Sequence, residues 1–161
     1  MFCVRQATLE DVAVISEIEA ICFPAAEAAS YKSFKERMQV FLECFLVLES
    51  EGKVVGAING MVVNENKITD ILFEDASLHC PDGKWQSVFG LIVLPEYQRR
   101  GGAGMLLKAF EVKAREDARV GCILTCKERL ISYYGKYGYE NIGVSQSVHG
   151  GAIWYDMVLE F

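Results

Sequence analysis

The sequence has no long apolar stretch, and its first residues do not have the pattern of a secretory leader. None of its apolar runs approaches the ~20 residues that a membrane-spanning helix needs. The opening residues, MFCVRQATLEDVAV, lack the layout of a signal peptide and already contain a helix-start signal. We therefore expect a cytoplasmic protein that does not insert into a membrane.

Histidine is scarce, and cysteine does not occur in the pairs that bind metals. The only histidines are His79 and His149, and none of the six cysteines belongs to a C-x-x-C motif. The two nearest cysteines, Cys122 and Cys126, lie in a run that is typical of a buried strand. Zinc sites need a tighter grouping of ligands, so we expect no metal. We also expect the thiols to be reduced.

An excess of positive charge is also missing. Lys and Arg number 16 against 22 Asp and Glu, which gives a net charge of −6. Nucleic-acid-binding domains usually carry a basic face, so we expect no nucleic-acid partner. An acidic protein suits a cationic small substrate. The chain of 161 residues, 52% of them apolar, fits a single globular domain spanning 1–161.

Hydrophobic periodicity predicts an α/β (α+β) domain with interleaved helices and strands. One helix follows its cap at Thr8, a second, at 31–41, follows its cap at Ser30, and the later helices cover 102–117 and 129–137. The predicted strands are 2–6, 44–50, 53–62, 86–94, 120–126, 139–148 and 151–160. Tight turns are expected at Glu51-Gly52 and Gly150-Gly151, and a polar connection with one short helix at 64–83. This order places hairpins at both ends of a mixed sheet and a parallel β-α-β unit in the middle.

The stretch PEYQRRGGAGMLLKAF (95–110) joins a predicted strand to a predicted helix through arginines and glycines. A helix start carries unpaired backbone N–H groups and the positive end of the helix dipole, which together bind phosphate. Gln98, Arg99 and Arg100 add donors and charge, and the following glycines let an anion approach the main chain. The patterns G-x-x-x-x-G-K-[ST] and G-x-G-x-x-G with a later acidic residue are absent.

Residues 98–103 match Q-x-x-G-x-A, which resembles the pyrophosphate loop of the GNAT N-acetyltransferase superfamily. The stretch YYGKYGYENIG (133–143) is similar to that family's Y-x-x-x-G-F, with Tyr134 at the tyrosine position and Gly138-Tyr139 in place of Gly-Phe. Three further stretches resemble the arylalkylamine (serotonin) N-acetyltransferase branch: IEAICFPAAEAAS (18–30), SLHCPDG (77–83) and LTCKERLISYYGKYGY (124–139).

This resemblance, which runs over most of the chain, implies a GNAT-like fold with acetyl-CoA as cosubstrate and no metal. The fold would be a mixed, largely antiparallel six- to seven-stranded sheet, with central parallel splayed strands and about four flanking helices. The pyrophosphate would bind at Gln98, Arg99, Arg100, Gly101, Gly102, Ala103 and Gly104. The pantetheine arm would follow the strand edge at Leu91, Ile92 and Val93, and the N–H of Leu91 would face the developing oxyanion.

The resemblance singles out Tyr134 as the proton donor to the departing thiolate. A phenol with an ordinary pKa near about 10 is protonated at neutral pH and close enough in acidity to a thiol to donate. Vertebrate-type members of the branch carry two histidines as a water-linked base, where this chain has Ser87 and Phe89. The base therefore lies elsewhere, or a water chain takes the proton. The candidate bases are Glu27, Glu74, Asp75 and His79.

The expected substrate contacts are Glu27, Tyr31 and His79, with Glu27 the first choice for the partner of a substrate ammonium. An aromatic mouth is expected from among Tyr31, Phe34, Phe73 and Trp85, although Phe34 fits a core position better. The acceptor is open between arylalkylamine, polyamine, amino acid and protein N-terminus. The choice between monomer and homodimer is also open.

Three functions remain open at this point. The first is an acetyl-CoA-dependent N-acetyltransferase acting on a small primary amine, which the retained Tyr134 favours. The second is a non-catalytic acetyl-CoA-binding or regulatory module, which the missing strand histidines favour. The third is a nucleotide-binding enzyme that uses the glycine loop for ATP, which the missing Lys-Ser/Thr ending disfavours.

Overall fold

In the computed structural model, which describes residues 1–161, five α-helices alternate with nine strand segments. The helices are α1 (Val12–Cys22), α2 (Tyr31–Phe41), α3 (Asp70–Glu74), α4 (Gly102–Glu116) and α5 (Ile131–Gly135). The strands are β1 (Phe2–Gln6), β2 (Phe45–Ser50), β3 (Lys53–Asn59), β4 (Val62–Val63), β5 (Trp85–Val88), β6 (Gly90–Val93), β7 (Gly121–Cys126), β8 (Glu140–Val144) and β9 (Tyr155–Glu160).

The strands form two sheets that share the middle of the molecule. One sheet has the order β1-β2-β3-β6, and the other has the order β4-β5-β7-β9-β8. Every neighbouring pair is antiparallel except β5 and β7, which run parallel from Trp85↔Gly121 to Val88↔Leu124. The predicted mixed, largely antiparallel architecture with a central parallel pair is therefore confirmed.

Local signals place the helix starts and the first hairpin where the sequence predicts them. The Ser30 hydroxyl accepts a hydrogen bond from the Ser33 N–H at 3.1 Å and caps α2. The Asp11 carboxylate accepts from the Thr8 N–H at 2.8 Å, at a short 3₁₀ turn that leads into α1. Positive φ angles at Glu51 (51°) and Gly52 (80°) make the tight link between β2 and β3.

Two predicted strands, 53–62 and 86–94, are each broken where they cross from one sheet to the other. A Cβ at Gly60 would lie 1.9 Å from the Ser87 carbonyl oxygen, so the two backbones touch there. The Gln86 amide donates to the Gly60 carbonyl at 2.9 Å, and the Ser87 hydroxyl donates to the Met61 carbonyl at 2.6 Å. These side chains satisfy backbone groups that have left the strand ladders. The breaks turn seven predicted strands into nine segments.

The predicted tight turn at Gly150-Gly151 is wrong. β8 ends at Val144 and β9 begins at Tyr155, and the segment between them is a long connection, here called the 145–154 loop. Asp70 of α3 accepts from the Ser147 hydroxyl and from the Val148 N–H, and the His149 Nε2 lies 2.7 Å from the Glu27 carbonyl oxygen. These contacts hold the 145–154 loop beside α3 and the loop that precedes α2.

The core lies between the sheets and the long helices. Phe34, Met38 and Phe41 of α2 are buried, as are Leu106 and Phe110 of α4. Phe34 is fully buried, so it is a core residue and not part of an aromatic mouth. No helix in the structure combines the length and the apolar character that crossing a bilayer requires.

Candidate active site

A cleft opens where the parallel strands β5 and β7 separate. Their pairing ends at Val88↔Leu124, after which the chain breaks at Phe89 and continues as β6, paired with β3. The end of β7 stays with β9. The cleft encloses about 970 Å³, with residues 88–93 on one wall and 124–127 on the other. The splayed parallel strands expected from the sequence are thus present and form the site.

The β6 wall holds the three residues expected along a pantetheine arm. Leu91, Ile92 and Val93 all line the cleft. β6 pairs only with β3, so its opposite edge has no strand partner. The Val93 carbonyl accepts from the Gln98 amide at 2.8 Å and from the Cys22 thiol at 3.3 Å. The Gln98 side chain therefore fixes the end of this strand as well as the loop that follows it.

The loop between β6 and α4 leaves a run of main-chain donors unpaired. The N–H of Met105, which donates to the Gly101 carbonyl at 3.1 Å, is the first in α4 with a partner inside the protein, and the N–H groups of residues 99–104 have none. Positive φ angles at Arg99 (63°) and Gly101 (85°) are typical of backbone nests that bind anions. The run fits a pyrophosphate, with the exposed side chains of Arg99 and Arg100 beside it.

Two glycines of this loop are also required for packing, which the sequence did not indicate. A Cβ at Gly102 would lie 2.6 Å from the Leu48 Cδ2, and a Cβ at Gly104 would lie 2.2 Å from the Tyr137 hydroxyl oxygen. Both residues are buried, whereas Gly101 is exposed with open space around its Cα. Of these three glycines, only Gly101 has a positive φ angle, which favours glycine over other residues.

Tyr134, the predicted proton donor, lies on α5 and lines the cleft. Its ring is packed edge-on against Tyr133 and Tyr139, with centroids 5.2 and 5.9 Å away. No protein group hydrogen-bonds to its hydroxyl. Burial, followed by the nearby Cys126 and Tyr133, raises the pKa of the phenol above its usual range. The hydroxyl is therefore protonated at neutral pH and free to donate to a ligand.

Glu27 also lines the cleft, as proposed for a substrate contact. Its side chain is only 8% exposed, and Oε2 lies 2.8 Å from the Lys127 Nζ. The other oxygen, Oε1, is buried without a hydrogen-bond partner. A buried carboxylate oxygen without a donor costs free energy, so a ligand N–H that reached it would be stabilised.

His79 and Tyr31 lie outside the cleft, and the structure does not support them as substrate contacts. The buried His79 ring accepts from the Val62 N–H at Nδ1 (3.0 Å) and packs on Phe41. Because Nδ1 accepts, the proton of the neutral ring sits on Nε2, which faces the Glu43 carboxylate at 3.4 Å. That tautomer has no lone pair for a metal at Nε2, although Glu43, Cys44 and His79 cluster together.

The other residues weighed as bases or mouth residues divide between the cleft and the scaffold. Glu74 and Phe73 line the cleft, but Asp75 caps the following turn by accepting from the Ser77 N–H at 3.0 Å. Trp85 packs beside Gly121 and away from the cleft. At the two positions where vertebrate-type members carry histidines, the Ser87 side chain is buried against Met61, whereas Phe89 faces the cleft.

Glu19 is the main cleft residue that the sequence reasoning missed. It lies on the buried stripe of α1 with Ile15 and Ile18, and it is 6% exposed. Its Oε2 accepts from the Ala29 N–H at 2.9 Å, and its Oε1 lies 3.5 Å from the point where a Cβ on Gly90 would stand. Burial raises the pKa of this carboxyl, against the lowering effects of the Ala29 hydrogen bond, Arg37 and His149. The sequence signal that could have identified Glu19 is its position as a charged residue on the apolar stripe of a helix.

Asn59, at the end of β3, also lies beside Gly90. Its amide nitrogen lies 3.4 Å from the position of a Cβ on Gly90, and its buried Oδ1 has no partner. Gly90 follows the break at Phe89, so the absent side chain leaves room where the strands separate. A carboxylate, an amide and the bare backbone of β6 therefore converge at the mouth of the split.

Aromatic rings line one end of the cleft. Phe73 packs against Phe89 at 4.7 Å and against His149 at 5.1 Å between centroids, and Trp154 extends the cluster at 6.2 Å from His149. The Trp154 indole donates to the His149 carbonyl at 2.8 Å. His149 and Trp154 were missed because the sequence predicts two strands and a tight turn over residues 145–154, which would not bring them to the cleft. The result is an aromatic-walled compartment beside Glu19.

Comparison with known proteins agrees with this geometry. Residues 12–139 match the model of the acetyltransferase (GNAT) family. Serotonin N-acetyltransferase of Mesocricetus auratus is 24% identical over 144 residues, which cover 86% of this chain and 68% of that protein.

Two solved structures show the shared fold. The loading GNATL domain of CurA from Lyngbya majuscula superposes with a TM-score of 0.85 at 14% identity, covering 99% of this chain and 98% of that one. A GNAT family acetyltransferase from Brucella melitensis, in complex with acetyl-CoA, gives 0.65 at 18% identity, covering 100% and 88%. Since the family model spans most of the sequence, this chain belongs to the acetyltransferase (GNAT) family, whose acyltransferases use acetyl-CoA.

Proposed function

We propose that this acetyltransferase acetylates a small primary amine whose apolar body lies in the aromatic compartment of the cleft. The observation that carries the proposal is the position of Glu19, a buried carboxylate with one open oxygen beside Gly90 at the point where β5 and β7 separate. The likeness to serotonin N-acetyltransferase, an enzyme named for an arylalkylamine, supports the same class of acceptor.

The residues of the cleft fit acetyl-CoA. The unpaired N–H groups of residues 99–104 would hold the pyrophosphate, and the free edge of β6 would hold the pantetheine arm. Acetyl-CoA supplies the acetyl group as a thioester and departs as a thiol. The N–H of Leu91 is our candidate for stabilising negative charge on the acetyl oxygen.

Glu19 is our candidate for the base, in place of the missing strand histidines. An amine must lose its proton before it attacks a carbonyl carbon, and burial gives Glu19 a pKa above its usual range, which makes it a stronger base. Tyr134 stands ready to donate a proton to the leaving sulfur. Glu27, with its free Oε1, offers a second contact for donors on the acceptor.

The test is the release of free CoA thiol from acetyl-CoA in the presence of a panel of primary amines, with the acetylated product identified by mass spectrometry. We expect release that depends on the amine and is fastest for amines with an aromatic body. Tight acetyl-CoA binding with no amine-dependent release would contradict the proposal and favour a non-catalytic binding module.

A further inference from the structure

Arg37 is a buried cation in the cleft without an ion-pair partner. It lies on α2 among Phe34, Met38 and Phe41 and is 6% exposed, yet it lines the cleft. No carboxylate lies within 4.0 Å of its guanidinium. Its only hydrogen bond runs from Nη2 to the Phe73 carbonyl at 3.2 Å, and its Nε is buried without a partner.

The surroundings make this charge costly when no anion is bound. The Phe34 and Phe89 rings, with centroids 5.4 and 5.1 Å from the guanidinium, form cation–π contacts that offset part of the cost of burial but supply no hydrogen-bond acceptor. Burial lowers the pKa of Arg37 to about 10, and only the charge of Glu19 opposes that effect. Buried charges are ordinarily paired or fully hydrogen-bonded, and a guanidinium with open N–H groups matches a carboxylate.

Arg129 is the other cation of the cleft lining without an ion pair, but it is exposed to solvent, whereas Arg37 is buried. The remaining charged groups are already paired or are acids. Lys127 is paired with Glu27, and Asp70 accepts from Ser147 and Val148 in the 145–154 loop. Glu74 adds a further negative charge to the lining. The acids of the lining would repel a dianionic ligand group more strongly than a single carboxylate.

Arg37 and Glu19 both line the cleft and both approach the break between β5 and β6. Glu19 reaches the space beside Gly90, and Arg37 lies over Phe89, the residue before it. The two side chains interact electrostatically without touching. An acceptor that carries an ammonium and a carboxylate close together would meet a group of opposite charge at each end.

We infer that the acceptor is an α-amino acid with an aromatic side chain, whose carboxylate binds the Arg37 guanidinium while its amine faces Glu19. This inference rests on the proposed function and narrows it, because it separates amino acids from the arylalkylamines that lack the carboxylate. The ring would occupy the compartment formed by Phe73, Phe89, His149 and Trp154.

The experiment compares matched acceptors that differ only in the carboxylate. For the wild-type enzyme, kcat/KM is measured with tryptophan against tryptamine and with phenylalanine against phenethylamine. Charge-assisted hydrogen bonds to one carboxylate predict a preference for each amino acid of about 10- to 100-fold. Equal or better turnover of the amines overturns the inference while leaving the proposed function intact. Turnover of neither kind of acceptor contradicts both.

Two variants of the same helix separate recognition from structure. Arg37→Met removes the guanidinium and keeps an apolar side chain of similar length, and it should raise KM for the amino acids by about 10- to 100-fold with little change in kcat. KM for the amines should stay the same or fall. Lys35→Met, at an exposed position of α2, should leave KM unchanged for both the amino acids and the amines. An equal loss for amino acids and amines in Arg37→Met would mark a merely structural role and overturn the inference. If that variant does not fold, the wild-type comparison decides.

Discussion

The Lys127 Nζ lies 2.8 Å from the Glu27 Oε2, across 100 positions of sequence, and this ion pair ties the loop before α2 to the end of β7. Lys127 follows the strand that forms one wall of the cleft, and Glu27 belongs to the loop over its opening. Lys127 also lies over the Trp154 ring, so it joins the 145–154 loop to the same contact. One lysine therefore links three chain segments around the aromatic compartment.

Lys127→Met is expected to destabilise the fold because it leaves the Glu27 carboxylate buried without a counter-charge. Removing one partner of a fully buried pair costs about 3–5 kcal/mol. The Lys127 side chain is 25% exposed, so we expect roughly 2 kcal/mol in urea unfolding. Adding Glu27→Gln should recover part of this loss. Lys136→Met, at an exposed and unpaired lysine, is the control, and an equal loss in both single variants would refute the explanation.

Tyr134→Phe removes one hydroxyl from the cleft and almost no volume. If that hydroxyl donates a proton to the leaving sulfur, kcat should fall by about 10²–10⁴-fold, the usual effect of a general acid. Acetyl-CoA affinity should change far less, since the proposed pyrophosphate contacts lie on another element. Tyr133→Phe changes the neighbouring ring outside the cleft and should leave kcat close to that of the wild type. Unchanged kcat in Tyr134→Phe across the pH range would show that the sulfur leaves without help from this residue.

Glu19→Gln should abolish the rise of activity with pH. If Glu19 is the base, its deprotonated form is needed; burial raises its pKa, so wild-type kcat/KM should increase as pH rises through that raised value. The kcat/KM of the variant should be about 10²–10⁴-fold lower and should not rise with pH over this range. Glu17→Gln, on the exposed face of α1, is the matched control. A pH profile that keeps its acid limb in Glu19→Gln would assign the base elsewhere.

The same carboxyl gives a readout that does not depend on turnover. Because its folded pKa is raised above the unfolded one, the unfolded chain loses this proton first as pH rises. Below the unfolded pKa the carboxyl is protonated in both states and adds no pH dependence. As pH rises from the unfolded pKa through the folded pKa, Glu19 lowers the free energy of unfolding. The unfolding free energy of Glu19→Gln should fall less than that of the wild type across this window. An identical pH dependence in the two proteins would contradict the raised pKa.

Gly101→Asp combined with Arg100→Glu should weaken acetyl-CoA binding by about 10- to 100-fold, as measured by calorimetry. The change places negative charge beside the unpaired N–H groups of residues 99–104 and puts a side chain at a φ of 85°. Lys108→Glu, which reverses a charge on the exposed face of α4, should keep wild-type affinity. Full affinity in a folded double variant would place the pyrophosphate elsewhere.

The parts of the fold that depend on local signals were predictable. Caps such as Ser30 and the tight link at Glu51-Gly52 are short-range features, and the chain adopts them as the sequence indicates. The crossing at Gly60 was not predictable, because it depends on contact with the Ser87 backbone 27 positions away. The length of the 145–154 loop was missed for a similar reason, since Asp70 and Glu27 that hold it are remote in sequence.

The residues of the candidate site likewise fall into those that local motifs predicted and those that depend on the folded structure. Tyr134 and the loop at residues 98–104 belong to contiguous motifs; Tyr134 and Gln98 line the cleft, and the pyrophosphate role of residues 99–104 stays a prediction. Glu19 and Arg37 were not singled out from the sequence, although each lies on a buried helical face, where a charge is unusual. His79 was overvalued because the sequence does not show which side of the sheet a loop histidine packs against.

The most direct test of the account is a crystal structure of the protein with CoA and an acceptor amine. We predict the pyrophosphate on the N–H groups of residues 99–104, and the CoA sulfur within hydrogen-bonding reach of the Tyr134 hydroxyl. We further predict the acceptor nitrogen between that sulfur and Glu19, with its apolar body against Phe73 and Phe89. A CoA sulfur pointing away from the split between β5 and β7, or an acceptor bound outside the cleft, would contradict the proposed site.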